Sequence, residues 1–215
     1  MGRTRIAPEG WAVIGTAAAV LGIVGIVGTA AGHPASLLPF LPLVGFCFWF
    51  FRDPERTVPA DPRLLVSPAD GKVIDVSRVD EAAFLHAPAT KVSIFMSPLD
   101  VHVNRSPIDA RIVALQHTPG KFHAAWEDKA SLDNERTAMV LEQGGRRYLV
   151  VQIAGALARR IICRRAVGDQ LTRGERYGVI MFGSRVDVYL PTDVEPVVRL
   201  GDRVVAGASP LARLP

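Results

Sequence analysis

Two unlike patterns of apolar and polar residues divide this chain. Residues 11–31 carry no charged side chain, and after Gly32-His-Pro34 a second uncharged run covers 35–51, ending in Phe46-Cys-Phe-Trp-Phe-Phe51. As a helix the first run would reach roughly 31 Å, about the thickness of bilayer hydrocarbon. It is long for a signal-peptide core and a second apolar run follows at once, so the pair reads as a membrane helical hairpin. Pro39 and Pro42 leave open whether the second run spans the bilayer or turns back within it. Past residue 60 the pattern becomes period two. Residues 72–79, 91–96, 110–117, 138–142, 147–153 and 186–190 read as strands, with Gln143-Gly-Gly-Arg146 as a hairpin turn between two of them. No long amphipathic helical period follows residue 60.

The expected fold is therefore mainly β (α+β): an anchor over 1–51 with apolar segments 11–31 and 35–51, a Pro-rich charged connector over 52–62, and a compact β domain over 63–215. Within that domain, Ser67-Pro-Ala-Asp-Gly-Lys-Val73 and Val197-Val-Arg-Leu-Gly-Asp-Arg-Val-Val-Ala-Gly-Ala-Ser-Pro-Leu211 resemble the hammerhead of biotinyl and lipoyl carrier domains. Both pair short strands with Gly turns, which suggests a barrel-sandwich-like arrangement. A carrier role does not follow, because no Met-Lys or Asp-Lys hairpin tip is present.

Charge fixes the orientation of the anchor. Arg3 and Arg5 precede the first run while Arg52 and Arg56 follow the second, so both ends fall on the cytoplasmic side of the cell (inner) membrane, and the aromatic end of the second run suits the interface. A formal net charge of +4, carried mostly by Arg, suits a protein lying on anionic lipid. Nucleic acid is the other reading of a basic chain, but no aromatic-basic interleaving or binding motif supports it. The two cysteines, Cys47 and Cys163, lie in different regions, which argues against a disulfide framework or a cysteine metal site and agrees with a reducing compartment.

Candidate chemistry centres on Gly183-Ser184, where apolar sequence runs up to the pair and alternating sequence runs away from it. A strand broken by Gly-Ser is a place where backbone strain can be stored. The serine hydroxyl can attack the preceding carbonyl and convert the amide to an ester. Elimination then gives dehydroalanine, and hydrolysis a pyruvoyl group, an electron sink that needs no bound cofactor. The same dipeptide also occurs as a plain bulge, so the chemistry needs support elsewhere. A partner for the hydroxyl and a proton donor are required. Of the five histidines, His33 is in the membrane turn and His86 in a loop, leaving His102, His117 and His123. His102 lies between two Ser-Pro turns on a segment read as a strand, sharing a face with Asn104 while Val101 and Val103 point the other way. Asp70 lies in Pro68-Ala-Asp-Gly71, which is also an ordinary turn sequence.

Taken together, Phe51-Arg-Asp-Pro-Glu-Arg, Ser67-Pro-Ala-Asp-Gly, Phe95-Met-Ser-Pro-Leu-Asp-Val-His-Val-Asn-Arg, Thr118-Pro-Gly-Lys, Asn134-Glu-Arg136 and Phe182-Gly-Ser-Arg185 resemble, in their order, the phosphatidylserine decarboxylase proenzymes, most closely the short subfamily of bacteria and archaea. The resemblance runs from about residue 50 to the C-terminus. It implies self-cleavage between Gly183 and Ser184 into a β chain of residues 1–183 and an α chain of residues 184–215 that stay associated, with Ser184 becoming pyruvoyl. That carbonyl would form a Schiff base with phosphatidylserine, release carbon dioxide and yield phosphatidylethanolamine, without a metal. Asp70 falls on a family aspartate of self-cleavage and His102 on the family histidine of the decarboxylation step.

One departure matters. Longer members carry a second histidine three positions beyond His102, and this chain has Arg105. Self-cleavage is then left to His102, to His123 reaching in after Pro119-Gly-Lys121, or to Asp70 with strain; His102 is preferred. A guanidinium holds phosphate bidentately, so Arg105 is a candidate grip on the substrate phosphodiester, with Lys121 and Arg136 beside it. Another serine phospholipid, such as the ether-linked archaeal type, and a non-catalytic membrane-tethered hammerhead adaptor are the alternatives. Oligomeric state, a homo-oligomer included, stays open.

Overall fold

The computed structural model describes residues 4–121, 123, 133–156, 160–181 and 183–215. Arg3 and Phe182, which figure in the sequence motifs, lie outside them. Contacts divide the chain into a unit ending at Glu55 and a second unit, Arg56–Pro215.

In the first unit, strand β1 (Thr4–Ile6) pairs antiparallel with β2 (Arg52–Pro54). Part of the stretch read as a connector is thus a strand. Helix α1 (Gly10–Ala30) is followed by a 3-10 segment over Pro34–Phe40 and helix α2 (Leu41–Phe50). α1 is long and apolar enough to cross a membrane, with only 11% of its most apolar window buried. Pro42 explains why α2 begins where it does: in the first turn its missing N–H costs nothing. At 10 residues α2 reaches roughly 15 Å, half the hydrocarbon thickness. The Trp11 ring meets Phe48 edge-on, centroids 6.5 Å apart, and ties the two helices together.

Alternation governs the second unit. Its strands are β3 (Leu64–Val66), β4 (Gly71–Glu81), β5 (Ala87–Met96), β6 (Val103–Arg105), β7 (Ala110–Thr118), β8 (Arg136–Gln143), β9 (Arg146–Ala154), β10 (Ile161–Cys163), β11 (Gln170–Leu171), β12 (Arg176–Ile180), β13 (Ser184–Pro191), β14 (Glu195–Pro196), β15 (Arg203–Val204) and β16 (Pro210–Arg213). Eight of them form one curled antiparallel sheet in the order β11-β7-β8-β9-β13-β5-β4-β15. Smaller sheets, β10-β12-β6 and β14-β16-β3, complete the unit. The expectation of a mainly β domain holds, and all six strands read from the sequence are present.

Register sorts the side chains. Ser184, Val186, Val188 and Leu190 share a face with Met96, Ile94 and Val92 of β5 and with Ala154 and Val150 of β9, and this face carries the main core. Arg185, Asp187 and Tyr189 point to the opposite face, where Ala138, Val140, Leu149, Val151 and Ile153 form a second apolar cluster covered in part by Phe84 and Leu85. Both faces of β13 are buried, as expected for a strand in mid-sheet with layers on either side. At the head of β4, Gly71 lies against the Phe95 carbonyl, where any Cβ would collide with backbone. Only glycine lets β4 and β5 close there.

Candidate active site

Ser184 is the first residue of β13 and is fully buried, its backbone flanked by Met96 on one side and Ala154 on the other. Gly183 before it has φ 62, the left-handed region, and nothing lies within 4 Å of where its Cβ would stand. Conformation rather than crowding demands glycine here. Glycine occupies that region at no steric cost, so the anticipated strain is not in its φ; another residue would lose about 1 kcal/mol.

Among the described residues, the Ser184 hydroxyl meets the Met96 Sδ at 3.5 Å, a weak acceptor. Behind Met96 runs a chain of amides. Asn104 Nδ2 lies 3.7 Å from the same sulfur and 3.4 Å from the Pro68 carbonyl, and Asn104 Oδ1 accepts from Gln152 Nε2 at 2.8 Å. Asn104 and Gln152 are both buried, so each bond offsets a desolvation penalty that would otherwise stand. Gln152 is a residue the sequence reading missed. A lone amide inside the apolar stretch Val150-Val-Gln-Ile153 is the signal that could have found it, because a buried amide must have a partner.

His102 is buried, its Nδ1 3.0 Å from the Asp100 carbonyl, and its own carbonyl accepts from the Ile180 amide at 3.3 Å, four residues before Ser184. It precedes rather than occupies a strand: β6 starts at Val103, because Ser97-Pro-Leu-Asp100 is a turn closed by the Asp100 carboxylate on the Ser97 amide. The two-faced pattern expected there does not apply, since 101–105 are all buried. Asp70 is nine-tenths buried, one oxygen accepting from the Ala206 amide and the other from Arg56 Nη2, each at 2.8 Å. These bonds turn His102 to the Asp100 carbonyl and Asp70 to Arg56 and Ala206, while the Ser184 hydroxyl is turned to Met96.

Asn134 closes the other side. Its Nδ2 donates to the carbonyls of Ala154, Ser184's strand neighbour, at 2.7 Å and of His123 at 2.8 Å, while Oδ1 accepts the His123 amide. His123 is thereby held one residue away from the strand beside Ser184, with its ring turned to Asp133 at 3.8 Å. Lys121, exposed, pairs through its backbone with Asp133 and Glu135. Register sets Lys72, Phe95, Arg185, Ile153, Arg136 and Thr118 across adjacent strands at this end of the sheet, so described parts of five sequence motifs, from Ser67-Pro-Ala-Asp-Gly onward, meet here.

The three basic candidates are not equivalent. Arg105 is buried, its Nη1 donating to the Gly174 carbonyl at 3.1 Å and its stem against Gly207. That placement favours anchoring the fold over gripping a phosphate. Arg136 lies opposite Ile153, on the face away from Ser184, where it lines a cavity of about 140 Å³ with Glu81, Asp187 and Tyr189. Lys121 alone is exposed on the Ser184 side. Burial pushes the Cys163 thiol up, which disfavours its thiolate. Among the described residues no cluster of His, Cys, Asp or Glu could hold a metal.

Ser184 is thus a buried serine behind a left-handed glycine, at the head of a mid-sheet strand, with the buried amides of Asn104 and Gln152 behind its Met96 neighbour. The family model for phosphatidylserine decarboxylase matches residues 43–212. A protein of Symbiobacterium thermophilum is 48% identical over 216 residues, covering 100% of this chain and 98% of its own length. One of Pelobacter propionicus is 53% identical over 81% of this chain and 80% of its own, and one of Ruegeria pomeroyi 47% identical over 96% and 94%. All three are named phosphatidylserine decarboxylase proenzymes. The chain belongs to the phosphatidylserine decarboxylase family and is an enzyme.

Proposed function

We propose that the chain is a proenzyme that cuts itself between Gly183 and Ser184 and then decarboxylates phosphatidylserine to phosphatidylethanolamine and carbon dioxide. The observation that carries this is Ser184 itself: buried, at a strand head, directly after a glycine, which has no side chain of its own to shield its carbonyl. Family membership disfavours the adaptor reading.

In self-cleavage the Ser184 oxygen adds to the Gly183 carbonyl carbon as the C–N bond breaks, and the hydroxyl proton passes to the freed nitrogen. Loss of the Ser184 α-proton and of the Gly183 carboxylate leaves a double bond at residue 184. Tautomerisation and addition of water expel ammonia. His102 and Asp70 are the groups offered for these proton transfers, and both must turn toward Ser184 from the partners they hold here.

A pyruvoyl group at residue 184 supplies an electrophilic carbonyl and a sink for the electrons left by carbon dioxide. The surroundings fit it. Residue 184 is buried against Met96, behind which Asn104 and Gln152 bond each other, so water is kept from that side, while among the described residues beyond its chain neighbours nothing fills the place of a Gly183 side chain. His102 is the group offered for the proton that returns to the substrate carbon, and exposed Lys121 the group offered to its phosphate. The anchor over 1–51 keeps the enzyme on the membrane that contains its substrate, with the domain over 63–215 on the cytoplasmic side and its two fragments associated through β13 in mid-sheet.

Intact mass of the purified protein tests the reading. Two fragments divided at Gly183/Ser184 are expected, the smaller lighter by one ammonia than residues 184–215 with a free serine. A free Ser184 amine would point to ordinary proteolysis. Asp70→Asn is expected to slow cleavage, whereas His102→Ala should lower turnover more than cleavage, read from fragment yield and carbon dioxide release on one preparation. Full cleavage and activity in both variants would return these residues to structural roles.

A further inference from the structure

The Ser184 end of the sheet carries two matching turns. In Ser97-Pro-Leu-Asp100 the Asp100 amide donates to the Ser97 carbonyl at 2.9 Å and its carboxylate accepts the Ser97 amide at 2.8 Å. In Arg199-Leu-Gly-Asp202 the Asp202 amide donates to the Arg199 carbonyl at 3.1 Å and its carboxylate accepts the Arg199 amide at 2.8 Å. Arg203 Nη1 reaches Asp100 Oδ1 at 3.4 Å and ties the turns together. Each turn holds up a leucine. Leu99 is 65% exposed and Leu200 72%, more than any other large apolar side chain among the described residues of the β unit.

Single exposed leucines are ordinary. Two, on rigid turns bridged to each other, are not, because the fold spends an aspartate on each turn to hold an apolar side chain in water. Register places them beside the site: Arg203, Lys72, Phe95 and Arg185 lie across four adjacent strands, one residue from the Met96–Ser184 pair. Lys72, Arg199 and Arg203 are exposed around the leucines, and exposed Arg160 stands behind, its carbonyl bonded to the Met181 amide. Against these four cations stand Asp100 and Asp202, whose carboxylates accept from their own turn amides, Asp100 also pairing with Arg203.

We propose that Leu99 and Leu200 form a docking surface for an anionic bilayer, through which the β unit seats its active site on the membrane independently of the N-terminal helices. The leucines enter the acyl boundary, the four cations meet lipid phosphates, and the rigid turns need no ordering on contact. Because the turn bearing Leu99 joins Met96 to His102, docking brings the head-group layer to the mouth of the site. The inference rests on the decarboxylase reading for its purpose but not for its test.

The test uses the full chain with Leu99→Asp and Leu200→Asp together. Turnover of phosphatidylserine in vesicles one-third phosphatidylglycerol is expected to fall roughly tenfold or more. Turnover of dissolved dihexanoyl phosphatidylserine and the extent of self-cleavage should not change. Undiminished vesicle turnover, or equal loss on both substrates, overturns the proposal. A second measurement needs no catalysis: an environment-sensitive fluorophore on Leu99→Cys or Leu200→Cys, in a chain with Cys47→Ala and Cys163→Ala, should shift to the blue in anionic proteoliposomes. The same label on Val167→Cys, exposed at the far edge of the sheet, should not. If the label shifts but neither substrate is turned over by the unsubstituted chain, docking stands and the decarboxylase reading falls. If the label does not shift, or if the double variant instead abolishes self-association, the surface is not a lipid contact.

Discussion

Ser184→Ala is expected to yield a single uncut chain of 215 residues with no decarboxylase activity. Alanine has no oxygen to add to the Gly183 carbonyl, so neither the ester nor the group derived from it can form. The fold should survive. The hydroxyl's contact among the described residues is a 3.5 Å approach to a thioether, and its loss from a buried strand position should cost no more than about 1 kcal/mol. Denaturing electrophoresis and a thermal melt on the same sample check both halves of this. Cleavage that persists in Ser184→Ala would remove Ser184 as the nucleophile, and unfolding would show that the hydroxyl has a structural partner. Gly183→Ala isolates conformation from chemistry: with φ 62 it should lose about 1 kcal/mol and cut more slowly, yet still cut.

Long strands were legible because one side of the alternation was enough to place them, and the Gly144-Gly145 turn fixed the register of the β8–β9 hairpin. Strands of two or three residues, such as β10, β11, β14 and β15, show no period and were not read. The candidate site was legible as motifs but not as contacts. The segment around His102 misled because residues buried on every side leave no alternation, and because a Ser-Pro-Leu-Asp turn interrupts it. Arg56 drew notice only as a flanking charge, yet it holds the Asp70 carboxylate across fourteen positions. Arg105 invited a phosphate because guanidinium chemistry suits one, and nothing in the local sequence announces a Gly174 carbonyl 69 residues away. Such partners are set by tertiary contacts, which a strand pattern does not encode.

The residues just after the proposed cut site carry the second large effect. Arg185 and Asp187 lie two apart on β13, on the face opposite Ser184, joined by Nε to Oδ1 at 2.9 Å and Nη2 to Oδ2 at 3.0 Å, with side chains 3% and 0% exposed. Their charge is felt around them. Burial first, then the Asp187 carboxylate, raises the Tyr189 phenol; burial would raise the Asp75 carboxyl, but Lys91 and Ser77, helped by Arg185, outweigh it and leave it lowered. A pair this buried adds little net stability when intact but is costly to break, since the survivor is a buried charge that has lost its close counter-charge. Asp187→Leu should therefore lose about 3–5 kcal/mol, much of the stability of an ordinary domain. Arg185→Met with Asp187→Leu should recover most of it, because both charges leave together. Denaturant melts in the uncut Ser184→Ala background separate this from any effect of cleavage. A double variant as unstable as the single one would mean that the pair's packing, rather than its charge balance, holds β13 in the sheet.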